Sequence, residues 1–174
     1  EIAQISREHG GEVPFIRPNR ISDDRSKSIE FVKHALDFYN NKYSESYGAV
    51  MILQPTSPLR DLETVRVAVK GFIQSNSSSM ISCYKEEYIN DLVSYYLDDE
   101  YSLRPVNIDH NKGIRRQDLD CKWVRNGSIY LTRSEYLLKN NQLICDNPYL
   151  LRMSKIDSID VDTADDLELL RLIL

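Results

Sequence analysis

Residues 49–60 read AVMILQPTSPLR, and this stretch decides the predicted fold. The first five residues, 49–53, are apolar throughout, which is typical of a central strand buried on both faces of a sheet. The turn that follows, at 54–60, contains two prolines, one side-chain amide, two hydroxyls and one guanidinium. In open α/β sheets, small anionic ligands bind at the carboxyl ends of such strands, near helix N-termini. The stretch therefore predicts a central strand and a polar turn, which either binds a ligand or only connects the strand to a helix.

The bulk composition is typical of one domain of ordinary size. The chain has 174 residues, a formal net charge of −5 and no basic stripe, so nucleic acid is not an expected partner. Cys83, Cys121 and Cys145 lack the spacing of a metal site and are typical of reduced thiols in the cytoplasm. No stretch is long and apolar enough to cross a bilayer. We therefore expect a single cytoplasmic domain over residues 1–174, without a membrane partner.

Hydrophobic periodicity predicts that helices and strands alternate in the first half of the chain. Helices are expected at 2–9, at 28–40 and after Asp61, which is the predicted N-cap of the third helix. Strands are expected at 13–16, 49–53 and 79–84. This order predicts an α/β fold with a mainly parallel sheet and right-handed crossovers.

The second half of the chain departs from this alternation. A hairpin is expected from 92–97 and 101–106, followed by a mobile loop around Asn111–Asp120, because long irregular segments in compact domains are often binding loops or lids. The remaining predicted elements are a strand at 123–132, a helix at 134–140, a strand at 149–153, an extended run at 158–162 and a helix at 165–174.

An acidic pair, Asp160 and Asp162, lies in the extended run. Side chains alternate along an extended chain, so the two carboxylates project from one face about 7 Å apart. Such a pair suits Mg²⁺, which keeps several waters and takes phosphate oxygens as further ligands. The alternative is that Asp162 or Thr163 caps the last helix and that Asp160 is merely exposed.

Two further groups are candidates for anion binding. Arg17 follows a predicted strand, where its guanidinium suits a base or a phosphate. Ser28 begins a helix, where a hydroxyl and free backbone N–H groups face outward. Arg115 and Arg116 lie in the predicted loop and either close on an anion or are solvated. Each of these residues, taken alone, also has a simple structural explanation.

Three motifs together resemble a known family, the CMP-N-acylneuraminate (CMP-sialic acid) synthetases, which are the cytidylyltransferases that activate sialic acid and related nonulosonic acids. The motifs, in the order seen in that family, are LQPTSPLR at Leu53–Arg60, NGSIY at Asn126–Tyr130 and SIDVDT at Ser158–Thr163. The segment from Arg17 to Ser28, with Asp24 at the acidic position, also resembles the family's pattern. The resemblance extends over residues 1–174.

The resemblance implies a three-layer α/β sandwich of the Rossmann-like nucleotidyltransferase type, with a small hairpin excursion for dimerisation, and a homodimer. It implies that the anomeric hydroxyl of a sugar acid attacks the α-phosphate of CTP, giving a CMP-sugar and pyrophosphate. Asp160 and Asp162 would be the catalytic pair that holds Mg²⁺. The remaining implied roles are nucleotide binding by Arg17 and Ser28 and sugar-acid binding by Gln54, Arg116 and Tyr130.

This sequence also departs from the family's pattern. Family members begin with a strand and a loop of the type P-A-R-G-G-S-K that holds the triphosphate, so we expect that this chain lacks the first strand, the Gly-rich loop and the second strand. Asn90-Asp91 and Leu143-Ile144 differ from sialic-acid-specific members, which leaves legionaminic or pseudaminic acid as alternative substrates. The alternative functions are a catalytically incomplete fragment, a non-catalytic dimerising domain of the same fold, or a different nucleotide-sugar transferase that uses Asp-x-Asp.

Overall fold

A computed structural model of the chain describes residues 1–23, 25–115 and 118–174. The described residues contain five α-helices, six β-strands and a 3₁₀ turn at Asn19–Ile21. The helices are α1 (Ile2–Glu8), α2 (Ser28–Tyr43), α3 (Leu62–Gln74), α4 (Ser134–Asn140) and α5 (Ala164–Ile173). The strands are β1 (Ala49–Leu53), β2 (Ser79–Glu86), β3 (Tyr95–Asp99), β4 (Ser102–Pro105), β5 (Lys122–Arg133) and β6 (Tyr149–Met153).

The chain divides into two compact units. The first holds Glu1–Val50 and Ser134–Gln142, and therefore α1, α2 and α4. The second holds Met51–Arg133 and Leu143–Leu174, with the other helices and the strands from the end of β1 onward. The expectation of a single domain over residues 1–174 stays a prediction.

Helix α2 is the longest helix of the first unit. The backbone N–H of Lys27 donates to the Glu30 carboxylate at 3.0 Å, which closes the first helical turn. The helix ends at Tyr43, and its C-cap, Ser44, takes a left-handed conformation with φ of 56°. The helix is longer than the predicted range of 28–40, because the left-handed residue that stops it comes at position 44.

The predicted strand at residues 13–16 is wrong, since these residues belong to no strand in the described chain. Pro14 has no backbone N–H to donate to a ladder. The ring of Phe15 packs instead on α2, with its centroid 4.8 Å from Phe38 and 4.7 Å from His34. In this segment, the apolar side chain of Phe15 therefore packs on a helix and not in a sheet.

A four-stranded sheet with the order β1-β5-β2-β6 forms the centre of the second unit. Strand β5 runs antiparallel to β2, whereas β6 runs parallel to β2. The sheet is thus mixed, and the prediction of a mainly parallel sheet is wrong. The physical reason is that β5 follows the β3–β4 hairpin and not a helical crossover, which leaves it free to return in the opposite direction between β1 and β2.

Strand β1 has the predicted bounds but not the predicted place. It lies at one end of the four-stranded sheet and not at its centre. Ile52 is buried, whereas Leu53 is 41% exposed. The apolar composition of a strand indicates how much burial it requires, but not its position in the order of strands.

Helix α3 packs on the sheet and begins as predicted. The Asp61 carboxylate accepts a hydrogen bond from the Thr64 backbone N–H at 2.7 Å, and this bond lowers the pKa of Asp61. A Cβ added at Gly71 would lie 3.3 Å from the Tyr149 ring and 3.6 Å from Met80. The glycine therefore lets the helix approach β2 and β6 closely.

The predicted hairpin is confirmed as a separate antiparallel pair of β3 and β4. In the predicted loop, residues 111–115 and 118–120 form no α-helix or strand, and the mobility of the loop stays a prediction. The three cysteines are free thiols, as expected. None of the described helices has the length and apolar character needed to cross a membrane.

Candidate active site

The polar turn after β1 is held together from within. The Ser57 backbone N–H donates to the Gln54 carbonyl at 3.3 Å. One nitrogen of the Arg60 guanidinium donates to the carbonyls of Gln54 and Ser128, at 3.1 Å and 2.9 Å. Burial lowers the pKa of Arg60, and the side chain serves to join the turn to β5. The Arg60 guanidinium, which is one of the polar groups noted in the turn, therefore has a structural role.

The acidic segment is attached to the same turn. The Val161 backbone N–H donates to the Thr56 carbonyl at 2.8 Å. The buried Ser57 hydroxyl donates to a carboxylate oxygen of Asp160 at 3.5 Å. These contacts place Asp160 beside the carboxyl end of β1, although the segment that carries it joins no strand.

A buried asparagine joins the NGSIY motif to the SIDVDT motif. The Asn126 side-chain oxygen accepts hydrogen bonds from the Ser82 hydroxyl at 2.6 Å and from the Ser128 backbone N–H at 3.2 Å. Its nitrogen donates to the Ser158 hydroxyl at 2.7 Å and contacts the Met153 sulfur at 3.3 Å. Sequence reasoning assigned no role to Asn126. The only signal was its place in NGSIY, next to a glycine.

A β-bulge in β5 shapes the centre of the site. The pairing between β2 and β5 shifts register between Ile81, opposite Tyr130, and Cys83, opposite Arg125. Gly127 lies within this bulge with φ of +78°, a conformation that favours glycine. The position of a Cβ on Gly127 would lie 3.8 Å from an Asp160 carboxylate oxygen and 4.0 Å from the Tyr130 hydroxyl. The bulge thus directs two of the predicted site residues towards one point.

The acidic pair is available for a cation. Asp160 is half-buried and Asp162 is exposed, and in the described part of the chain neither carboxylate has a basic partner. Helix α5 is capped by Thr163, whose hydroxyl accepts from the Asp166 backbone N–H at 3.2 Å. Of the two residues considered as the cap of this helix, Thr163 is the one that caps it, and Asp162 is not needed for that role. Carboxylate oxygens without a basic partner fit the donor preference of Mg²⁺.

The predicted sugar-binding residues have different outcomes. The Gln54 side chain is half-buried at the end of β1, and its amide makes no hydrogen bond within the described residues. Tyr130 lies beside Asp160, as described above. Arg116 lies outside the described residues, and so does Asp24.

The predicted nucleotide-binding residues lie in the first unit. Ser28 is the first residue of α2. The Arg17 guanidinium lies 5.0 Å from the ring centroid of Phe31, which follows Ser28 by three residues. Residues three apart share one face of a helix, so Arg17 and Ser28 approach the same face of the first turns of α2.

A cavity of about 430 Å³ lies between residues 85–90 and 119–121, and a buried carboxylate fixes its wall. Glu86 is 3% exposed and accepts hydrogen bonds from Lys155 Nζ at 2.7 Å and from the Tyr88 backbone N–H at 2.7 Å. The hydrogen bond from Lys155 is the largest cause of a decrease in the pKa of Glu86 to about 2, and the bond from Tyr88 adds to it. The sequence pattern gave no sign of this pair, because its members are far apart in the chain.

Replacing Glu86→Gln is expected to weaken the acid dependence of stability. The folded-state pKa lies below the ordinary value, so the carboxylate stabilises the fold above about pH 4.5, and this contribution disappears as the pH falls towards 2. Urea unfolding midpoints measured between pH 7 and 2.5 should fall less steeply for the variant than for the wild type. Glu63→Gln, in an exposed pair with Arg66, is the control and should follow the wild type. Equal slopes for Glu86→Gln and wild type would contradict the assignment.

Comparison with known proteins gives one consistent group of relatives, although no protein-family model matches the chain. The chain is 30% identical over 163 residues to the N-acylneuraminate cytidylyltransferase of Streptococcus agalactiae, an alignment that covers 94% of this chain and 38% of that protein. It is 25% identical over 173 residues to the pseudaminic acid cytidylyltransferase of Campylobacter jejuni, covering 99% and 73%. It is 28% identical over 180 residues to the CMP-N,N'-diacetyllegionaminic acid synthase of Legionella pneumophila, covering 95% and 70%.

The first of these relatives is much longer than this chain, which spans less than two fifths of its length. The alignments nevertheless cover nearly all of the chain, and hydrogen bonds bring the three motifs named above together around Asp160. By sequence, the chain is similar to proteins named as N-acylneuraminate cytidylyltransferase, pseudaminic acid cytidylyltransferase and CMP-N,N'-diacetyllegionaminic acid synthase.

Proposed function

We propose that this protein is a cytidylyltransferase that joins CMP from CTP to a nonulosonic acid and releases pyrophosphate. The observation that carries the proposal is the convergence of three motifs, distant in sequence, on one site. The turn after β1, the bulge of β5 and the acidic segment before α5 are hydrogen-bonded to one another through Thr56, Asn126 and Asp160.

The residues of the site fit separate parts of this reaction. Asp160 and Asp162 would hold Mg²⁺, which when bound neutralises charge on the phosphates. The free amide of Gln54 and the Tyr130 hydroxyl offer neutral hydrogen bonds to the hydroxyls of a sugar. Arg116 would meet an anionic group of the substrate, and Arg17 and Ser28 would bind the nucleotide.

The finer features of the fold belong to the same proposal. We place the chain in a three-layer, Rossmann-like nucleotidyltransferase domain that forms a homodimer in the cytoplasm. The β3–β4 hairpin supports the dimer, because Leu97 and Leu103 are 69% and 61% exposed on it, and exposed apolar surface of this kind is typical of association sites. Free thiols support a reducing compartment.

The identity of the sugar acid is tested together with the activity. The chain is incubated with CTP and Mg²⁺ and with N-acetylneuraminic, legionaminic or pseudaminic acid in turn, and pyrophosphate release is measured. We expect release with at least one acid, its loss on removal of Mg²⁺ by a chelator, and little release when UTP replaces CTP. Light scattering on the same sample should give the mass of a dimer.

Two results would contradict the proposal. A folded chain that binds CTP in calorimetric titration but releases no pyrophosphate with any of the acids would be a non-catalytic domain. A chain that hydrolyses or transfers from a CMP-sugar, and does not use CTP, would be a different kind of nucleotide-sugar transferase.

A further inference from the structure

Arg125 lies next to the site but has no part in the function described above. It precedes Asn126 at the start of the β5 bulge, and its side chain is exposed. The centre of its guanidinium lies 5.9 Å from the ring centroid of Tyr130, which is within the range of a cation–π contact. Arg125 thus approaches the face of the ring whose hydroxyl points towards the Asp160 side of the bulge.

The guanidinium of Arg125 has no acidic partner in the described ranges of the chain. The ion pairs of those ranges involve other residues, and an aromatic ring alone leaves the donors of the guanidinium free. An unpaired cation over the Tyr130 ring and a carboxylate pair on the side of its hydroxyl would attract ligand groups of opposite charge, which makes such a site selective.

A second arginine adds positive charge to the same face of the sheet. Arg125 of β5 and Arg152 of β6 both lie opposite Cys83 of β2, and directly opposed residues project from the same face. Burial raises the pKa of the Cys83 thiol, and the charge of Arg125 opposes this increase. Arg152 differs in that it lies over Trp123, at 5.3 Å from the ring centroid, and not over Tyr130.

The chemistry of the proposed substrate requires a cation at such a place. In a nonulosonic acid the carboxylate and the reacting hydroxyl are attached to the same anomeric carbon. A site that brings this hydroxyl near the carboxylates of Asp160 and Asp162 therefore also brings a negative carboxylate near them. Unless a positive group meets the substrate carboxylate, like charges repel and binding is weakened.

We propose that Arg125 binds the carboxylate of the sugar acid and thereby selects acidic over neutral sugars. The inference rests on the proposed function and extends it by naming a second cation, besides Arg116, that recognises the acid. The planar guanidinium donates two parallel hydrogen bonds to the carboxylate while its face stays on the ring of Tyr130.

The test compares the free sugar acid with its carboxyl methyl ester, which removes the charge and keeps the rest of the molecule. Binding of both ligands is measured by calorimetric titration, and KM for the acid and for CTP are measured separately. Arg125→Gln should raise the KM for the acid roughly 10- to 100-fold, as expected for lost hydrogen bonds to a charged group, and leave the KM for CTP unchanged. The KM of Arg125→Lys for the acid should lie between those of Arg125→Gln and the wild type. Lysine keeps the positive charge but cannot donate two parallel hydrogen bonds to a carboxylate.

Arg152→Gln is the matched control, since it removes the same charge from a neighbouring strand on the same face, and it should behave as the wild type. The inference is supported if Arg125→Gln lowers the preference for the acid over the ester at least roughly 10-fold relative to the wild type. It is overturned if Arg125→Gln keeps the preference, or if both arginine variants lose it equally. A wild-type chain that binds none of the acids would overturn the proposed function itself.

Discussion

Asp162→Asn is expected to lower kcat for CMP-sugar formation at least roughly 100-fold, because a metal ligand stabilises charge in the transition state by several kcal/mol. Asparagine keeps the shape of the side chain and one oxygen, but it removes the negative charge that attracts Mg²⁺. Stability should change little, since the Asp162 side chain is exposed and the cap of α5 is made by Thr163 and Asp166. Pyrophosphate release and thermal unfolding, measured on the same preparation, separate the two effects.

Asp165→Asn is the control for this variant. Asp165 is also exposed, lies in the first turn of α5 and belongs to the same acidic segment. Its replacement should cost only a few tenths of a kcal/mol of stability, through the helix dipole, and leave kcat unchanged. If the two variants have equal kcat, or if Asp162→Asn keeps wild-type activity and Mg²⁺ dependence, the assignment of the metal ligand is wrong.

Asn126→Ala is expected to lower the free energy of unfolding by roughly 2–4 kcal/mol. The substitution leaves the Ser82 and Ser158 hydroxyls without the partner that now lies at 2.6 Å and 2.7 Å. The buried Ser128 backbone N–H also loses its acceptor at 3.2 Å, and a buried polar group without a partner is costly. Activity should fall as well, because Ser158 holds the start of the segment that carries the acidic pair. Urea unfolding followed by circular dichroism measures the stability.

Asn140→Ala is the matched control for the buried asparagine. The Asn140 side chain is exposed at the end of α4 and donates one hydrogen bond, to the Tyr136 carbonyl at 3.0 Å. Its replacement should change stability by no more than about 0.5 kcal/mol. A loss for Asn126→Ala as small as this would mean that the three motifs are held together by other contacts.

Local chemistry was sufficient to predict most helices and strands. The cap at Asp61, the apolar run of β1 and the bounds of α4 and β6 agree with the structure, because each depends on residues that are neighbours in the chain. The wrong prediction of a strand at 13–16 has a tertiary cause, since Phe15 packs against α2 and is not paired in a sheet. The direction of β5 and the position of β1 in the sheet were also predicted wrongly, because both depend on tertiary contacts.

For the candidate site too, local features were predictable from the sequence and long-range contacts were not. The sequence supplied the residue types and their motifs, including the acidic pair, Gln54 and Tyr130. It gave no sign that Asn126 links the motifs, that Arg60 is used internally or that Glu86 is paired with Lys155, because the partners are separated by long stretches of chain.

The sequence by itself determined most of the local elements, the similarity to known cytidylyltransferases and the chemical groups available to the site, since these follow from composition, periodicity and motifs. Only the tertiary structure decided how the polar turn of residues 54–60 is used. Its hydrogen bonds to Ser128 and Val161 bring the end of β1 against the bulge of β5 and the acidic segment. The physical reason is that hydrogen bonds and charge act over a few ångströms of space, whatever the distance along the chain.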